Sequence, residues 1–73
     1  MEQFIIKSYS KAELALLYFP DANSTHVAVN RLMNWIKRCP SLWDGMLRQG
    51  YKKTAKWFSP HEVRMIIEYL GEP

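Results

Sequence analysis

The residue types most often used in catalysis or metal binding are few in this chain. Its one cysteine, Cys39, and its two histidines, His26 and His61, do not form a recognisable ligand spacing. Nothing in the sequence pairs the Cys39 thiol with a base, and the three glycines are too scattered to cradle a phosphate. We therefore expect no enzyme activity, no metal and no cofactor.

A different chemistry is available from residues 26–38, whose polar side chains gather on one side of a predicted helix. At 100° per residue the apolar side chains occupy one arc, and the opposite arc holds polar and basic side chains without an acid. That arc carries His26, Asn30, Arg31, Asn34, Lys37 and Arg38. Asn can pair with adenine, Arg can pair with guanine, and Lys neutralises phosphate. The face predicts a DNA-reading helix, although an ordinary solvated surface shows the same residue types. The five residues expected to face the groove are Asn30, Arg31, Asn34, Lys37 and Arg38.

A second basic stretch, residues 48–58, follows this helix. Lys52, Lys53 and Lys56 could hold DNA phosphates, as a loop or ribbon beside a recognition helix does, or could simply keep the surface soluble. Trp57 and Phe58 are expected in the core, because Phe58 precedes a helix cap where a buried residue is common.

Two helices have strong start signals. Ser10 with Glu13, and Ser59 with Glu62, form capping boxes, in which each side chain satisfies a free amide of the first turn. The first helix should end near Phe19, before Pro20, and the last should end at Gly71.

Two further helices are predicted between them. Ser24 or Thr25 caps a helix from about His26 to Arg38, and Pro40 opens a short helix that ends before Gly50. The runs 4–6 and 56–58 are β-prone and could pair. The expected class is mainly α: a compact bundle of about four short helices with a helix-turn-helix-like core, to which a small, winged-helix-like β-ribbon could be added. The connection over residues 19–24 is longer than the tight turn of that motif.

Length and composition indicate one domain over residues 1–73, since 48% of the residues are apolar and could form a core. A single cysteine allows no internal disulfide, which favours the cytoplasm. No signal peptide is recognisable, and no run approaches the ~20 apolar residues of a membrane span.

The net charge of +3 is unevenly distributed. Residues 31–64 hold eight cations against two acids, a net +6, whereas residues 1–30 sum to −1 and residues 65–73 to −2. A basic segment of this kind favours a polyanion or an acidic surface as partner.

Several strings along the whole chain resemble a known family of short bacterial proteins. The most specific are Leu16-Leu17-Tyr18-Phe19-Pro20 and the ending Glu68-Tyr69-Leu70-Gly71-Glu72-Pro73. The chain is similar to domain-of-unknown-function family 4248, found mainly in Bacteroides-type bacteria. The resemblance implies an intact stand-alone domain of 73 residues, but it carries over no activity and no site residues.

Two functions remain open at this point. The first is a small DNA-binding protein of helix-turn-helix or winged-helix type, which could act as a regulator or a mobile-element accessory factor and could bind paired half-sites as a homodimer. The second is an adaptor that docks on an acidic protein and binds no nucleic acid. An exposed apolar patch flanked by the lysines would favour the second, and burial of all three tryptophans would favour the first.

Overall fold

The computed structural model of the protein describes residues 4–52 and 54–73, and within them the fold is mainly α-helical. The elements in chain order are β1 (Tyr9–Ser10), α1 (Lys11–Tyr18), α2 (Thr25–Arg38), α3 (Pro40–Arg48), β2 (Trp57–Phe58) and α4 (Pro60–Leu70). These four helices confirm the predicted ones, and the small β-ribbon is also present.

The two capping boxes form as predicted. The Ser10 hydroxyl accepts a hydrogen bond from the Glu13 amide at 3.0 Å, and the Glu13 carboxylate accepts one from the Ser10 amide at 3.3 Å. At α4 the equivalent distances, between Ser59 and Glu62, are 3.2 and 2.9 Å. Both helices therefore begin at positions fixed by local sequence.

The ribbon pairs β2 with a different segment from the one expected. Phe58 lies opposite Tyr9 and Trp57 opposite Ser10 in an antiparallel pair, so the expected pairing with residues 4–6 is wrong. Residues that enter a helix cap are already extended, as Ser10 is at φ −68° and ψ 155°. The ribbon thus joins the segments that lead into α1 and α4, and it is not a hairpin.

The core takes side chains from every helix and from both strands. The buried apolar residues are Tyr9, Leu14, Ala15, Ala28, Leu32, Ile36, Leu42, Met46, Tyr51, Phe58, Val63 and Ile66. Helix α1 packs against α2, and α3 packs against both α2 and α4. This packing leaves one long side of α2 facing away from the core.

The connections show why the helices end where they do. Cys39 is half-buried and extended before Pro40, which is the first residue of α3. Gly50 and Gly71 follow α3 and α4 with φ values of 94° and 86°, which other residues rarely adopt. The connection between α1 and α2 spans residues 19–24, so it exceeds a tight helix-turn-helix turn, as expected.

Candidate nucleic-acid interface

Helix α2 is amphipathic along its whole length. The Ser24 hydroxyl caps it by accepting a hydrogen bond from the Val27 amide at 3.2 Å. Ala28, Leu32 and Ile36 are buried on its inner side. Lys37 and Arg38 lie in the last turn, where cations interact favourably with the helix dipole.

The outer side of α2 carries all five of its predicted site residues. Asn30, Arg31, Asn34, Lys37 and Arg38 are each exposed. The helix contains no acidic residue, so no carboxylate within it competes for its cations. The ion pairs found in the described part of the chain lie instead within α3 and within α4.

The segment 49–56, here called the basic loop, is anchored beside α2 by Tyr51. This side chain is only 5% exposed, and its hydroxyl lies 3.8 Å from the sulfur of Met33 on α2. Its ring packs edge-on to Trp43 at 6.0 Å and stacks with Phe58 at 5.8 Å between centroids. The base of the loop is therefore fixed against α2, α3 and β2 at once.

This anchor places two lysines of the basic loop, Lys52 and Lys56. Lys52 and Lys56 are exposed, and Lys52 directly follows Tyr51. The carbonyl of Lys56 accepts a hydrogen bond from the Lys11 amide at 2.9 Å, which ties the far end of the loop to α1. Lys53, the third predicted phosphate ligand, lies outside the described residues.

Lys11, which the sequence did not indicate as a site residue, adds a cation beside α2, close to Tyr51 and Lys37. Its ammonium lies 5.2 Å from the centre of the Tyr51 ring, and the Lys37 ammonium lies 5.7 Å from the centre of the Trp43 ring. Burial lowers the pKa of Lys11, and the positive charge of Lys37 lowers it further. Positive charge from α1 and α2 is therefore concentrated here.

One acid moderates that charge. Glu62, in the first turn of α4, raises the pKa of Lys11 and so opposes the two lowering effects. It also raises the pKa of Tyr51, which burial and this charge together bring to about 12. The negative charge of Glu62 therefore offsets part of the positive charge around Lys11.

The predicted residues fall into two groups around α2. At 100° per residue, Lys37 lies next to Met33, on the edge of the helix that meets the basic loop. Arg31 lies next to Trp35, on the opposite edge. Lys37 therefore lies towards Lys11, whose pKa it lowers, and Lys56 lines the same cavity as Lys11, whereas Arg31 belongs to the far side of the outer face.

Trp57 departs from its expected position. It is 58% exposed, whereas its neighbour Phe58 is fully buried, so the prediction of a core position is confirmed for Phe58 and wrong for Trp57. Successive residues of a strand point to opposite faces, and β2 can bury only one of the two. The sequence carried a signal for this difference. The helix-cap pattern predicts Phe58 in the core, and strand alternation then predicts its neighbour Trp57 on the opposite, exposed face.

Trp57 borders an open cavity of about 410 Å³ with an almost entirely apolar lining. The cavity is lined by Ser10, Lys11, Ala12, Val29, Lys56 and Trp57. Its place in the fold depends on the β1–β2 pairing, which brings distant segments together. No local pattern in the sequence could have indicated it.

The described residues offer no metal site. Within 4–52 and 54–73, no three His, Cys, Asp or Glu side chains approach closely enough to hold an ion. His26 and His61 are exposed at the starts of α2 and α4. In the same part of the chain, no helix has the length and apolar character needed to cross a membrane.

The fold and this surface define a small, mainly helical domain with a basic loop fixed beside an exposed, acid-free helix face. A family model described as "Domain of unknown function (DUF4248)" matches residues 5–73, and the chain belongs to this family. No curated protein and no solved structure matches the chain.

Proposed function

We propose that the domain binds duplex DNA, with the outer face of α2 in the major groove and the basic loop on neighbouring phosphates. The observation that carries this proposal is the anchoring of the loop beside α2 by Tyr51. An exposed helix and an adjacent basic loop can reach base edges and backbone together.

The residues of the outer face suit both kinds of contact. Asn30 and Asn34 lie one turn apart and can each form a bidentate pair with adenine, while Arg31 and Arg38 can pair with guanine. Lys37, at the edge that meets the loop, is better placed for phosphate, together with Lys52 and Lys56. Base contacts would give sequence preference, and the lysines would give salt-dependent affinity.

The proposed binding mode is that of helix-turn-helix and winged-helix proteins, but two features of the fold differ from theirs. The connection over residues 19–24 is long, and the loop leads into β2, which pairs with β1 in place of a wing hairpin. Such a domain could serve as a regulator or a mobile-element accessory factor. A role on DNA would place it inside the cell, in line with its single cysteine.

Fluorescence anisotropy with a labelled duplex tests the proposal. Affinity should fall steeply between low and moderate salt, and Lys52→Ala with Lys56→Ala should weaken binding to all sequences and reduce the salt slope by about 1 per lost contact. Asn34→Ala should instead change the preferred sequence. Arg64→Ala on α4 removes the same kind of charge as either lysine change and is the matched control.

Two results would exclude the proposal. One is the lack of any anisotropy change at low salt. The other is equal weakening by Arg64→Ala and by Lys56→Ala, since binding would then follow net charge and not this surface. The stoichiometry of the saturated complex shows whether two copies occupy paired half-sites.

Docking on an acidic protein is the second candidate, and one specific observation favours it. Exposed Trp57 and the apolar cavity beside it are flanked by Lys11 and Lys56, which is the arrangement expected of an adaptor surface. This surface around Trp57 lies beside the outer face of α2 and is separate from it.

A further inference from the structure

We infer that the cavity beside Trp57 is a docking site for an acidic segment of a partner protein that inserts one apolar side chain. The cavity, of about 410 Å³, lies in the range of ~300–1,000 Å³ found for ligand sites. This inference rests on the second candidate function, docking on an acidic protein, and specifies its ligand; it does not depend on duplex binding.

The lining determines what can enter. Ala12 and Val29 contribute apolar side chains from α1 and α2, and Trp57 supplies an exposed aromatic ring. The Ser10 hydroxyl is already engaged, because it accepts a hydrogen bond from the Glu13 amide in the capping box. An apolar group therefore fits this lining, which offers few donors or acceptors to a polar one.

The charge around the cavity determines what flanks the apolar group. Lys11 and Lys56 line the cavity mainly with the carbon atoms of their side chains, and the Lys11 ammonium lies 5.2 Å from the centre of the Tyr51 ring. Lys37 is close enough to affect Lys11, Glu62 offsets part of this positive charge, and no lining residue is acidic. Carboxylates beside the inserted side chain would be attracted by the net positive charge around the cavity, which speeds association and excludes basic segments. Tryptophan at the edge of a pocket is also a frequent source of binding energy.

The test uses NMR spectra of the whole domain during titration with acetylated, amidated hexapeptides. Each peptide has Leu, Ile, Met or Phe at one central position and Asp or Glu elsewhere, and the control peptides carry Ser at the central position. We expect saturable shifts of the Trp57 indole and of the Ala12 and Val29 amides, with Ser peptides binding at least about tenfold more weakly.

Variants separate this site from the DNA surface. Trp57→Ala should weaken the best peptide at least about tenfold while duplex affinity stays within about twofold. Arg38→Ala should weaken duplex binding and leave peptide affinity unchanged. Tyr69→Ala, which removes another half-exposed aromatic ring, is the control for nonspecific loss and for folding.

Several outcomes would overturn the inference whatever the result with DNA. One is that no apolar peptide shifts the NMR signals of Trp57, Ala12 and Val29. The others are that the Ser peptides bind as tightly as the apolar ones, or that Trp57→Ala leaves the affinity for the best peptide unchanged. A stronger response of the same signals to a thymidine hexanucleotide would show a base-stacking site instead.

Discussion

Tyr18 and Tyr51 tie distant parts of the chain together through their hydroxyl groups. The Tyr18 hydroxyl donates to the carbonyl of Gly71 and so links α1 to the end of α4, while the Tyr51 hydroxyl contacts Met33. Burial is the main cause that raises the pKa of each to about 12, with Glu72 and Glu62 adding to it. Both residues therefore favour the fold only as neutral phenols.

The sign of the resulting pH dependence follows from these pKa values. An unfolded tyrosine ionises near pH 10, so the unfolded state loses its protons first. Stability contributed by Tyr18 and Tyr51 should be complete below about pH 10 and lost as pH rises towards 12. Denaturant unfolding between pH 8 and 12 measures this loss.

The double variant Tyr18→Phe, Tyr51→Phe should flatten that decline, because neither ring can then ionise. Tyr69→Phe serves as the control, since it replaces a half-exposed tyrosine on α4. An equally steep decline in the double variant would show that the two phenols do not stabilise the fold in this way.

Trp57 and Phe58 form a matched pair of neighbouring aromatic residues with opposite burial. Phe58→Ala should cost about 3–5 kcal/mol, as much as the whole stability of a domain this small, and leave the chain largely unfolded. Trp57→Ala should cost less than about 1 kcal/mol, because its ring is mostly in solvent. Thermal unfolding followed by circular dichroism compares the two, and equal losses would contradict their placement.

At the scale of the elements, the N-terminal caps set where helices begin. Ser59→Ala should destabilise the domain by about 1 kcal/mol, because the Glu62 amide loses its acceptor at the start of α4. Ser59→Asp keeps an acceptor in the same place and is the control. Urea unfolding measures both, and equal stability of Ser59→Ala and the native protein would contradict the role of this cap.

The helices could be predicted because their signals are local. Ser10 with Glu13, Ser59 with Glu62, and Pro40 each fix a helix start within a few residues of sequence. The β1–β2 pairing joins residues nearly fifty positions apart, and no local pattern distinguishes Tyr9–Ser10 from residues 4–6 as the partner of β2. Non-local contacts of this kind depend on how the whole chain packs.

The same distinction applies to the candidate interface. The outer face of α2 was predictable from helical periodicity, and all of its named residues are exposed. The approach of Lys11 to Lys37, and the cavity beside Trp57, follow from tertiary packing. Sequence therefore predicted the helix face and the lysines of the basic loop, but not Lys11 or the apolar surface beside Trp57.

At the scale of the whole molecule, a short chain places two different surfaces on either side of one helix edge. The outer face of α2 is polar and basic, whereas the cavity beside Trp57 is apolar with lysines at its border. Lys56 belongs both to the basic loop of the proposed DNA surface and to the lining of the cavity. DNA and an acidic partner should therefore weaken each other's binding, which titration of the acidic peptide against a preformed duplex complex measures.

The most direct test of duplex binding is an NMR titration of the domain with a mixed-sequence duplex at low salt. If the domain binds duplex DNA as proposed, the amide signals of residues 30–38, with those of Tyr51, Lys52 and Lys56, shift progressively, and moderate salt reverses the shifts. The exposed side of α4, including Arg64 and Glu68, should be unaffected. Unchanged spectra, or shifts centred on α4, would contradict the proposed interface.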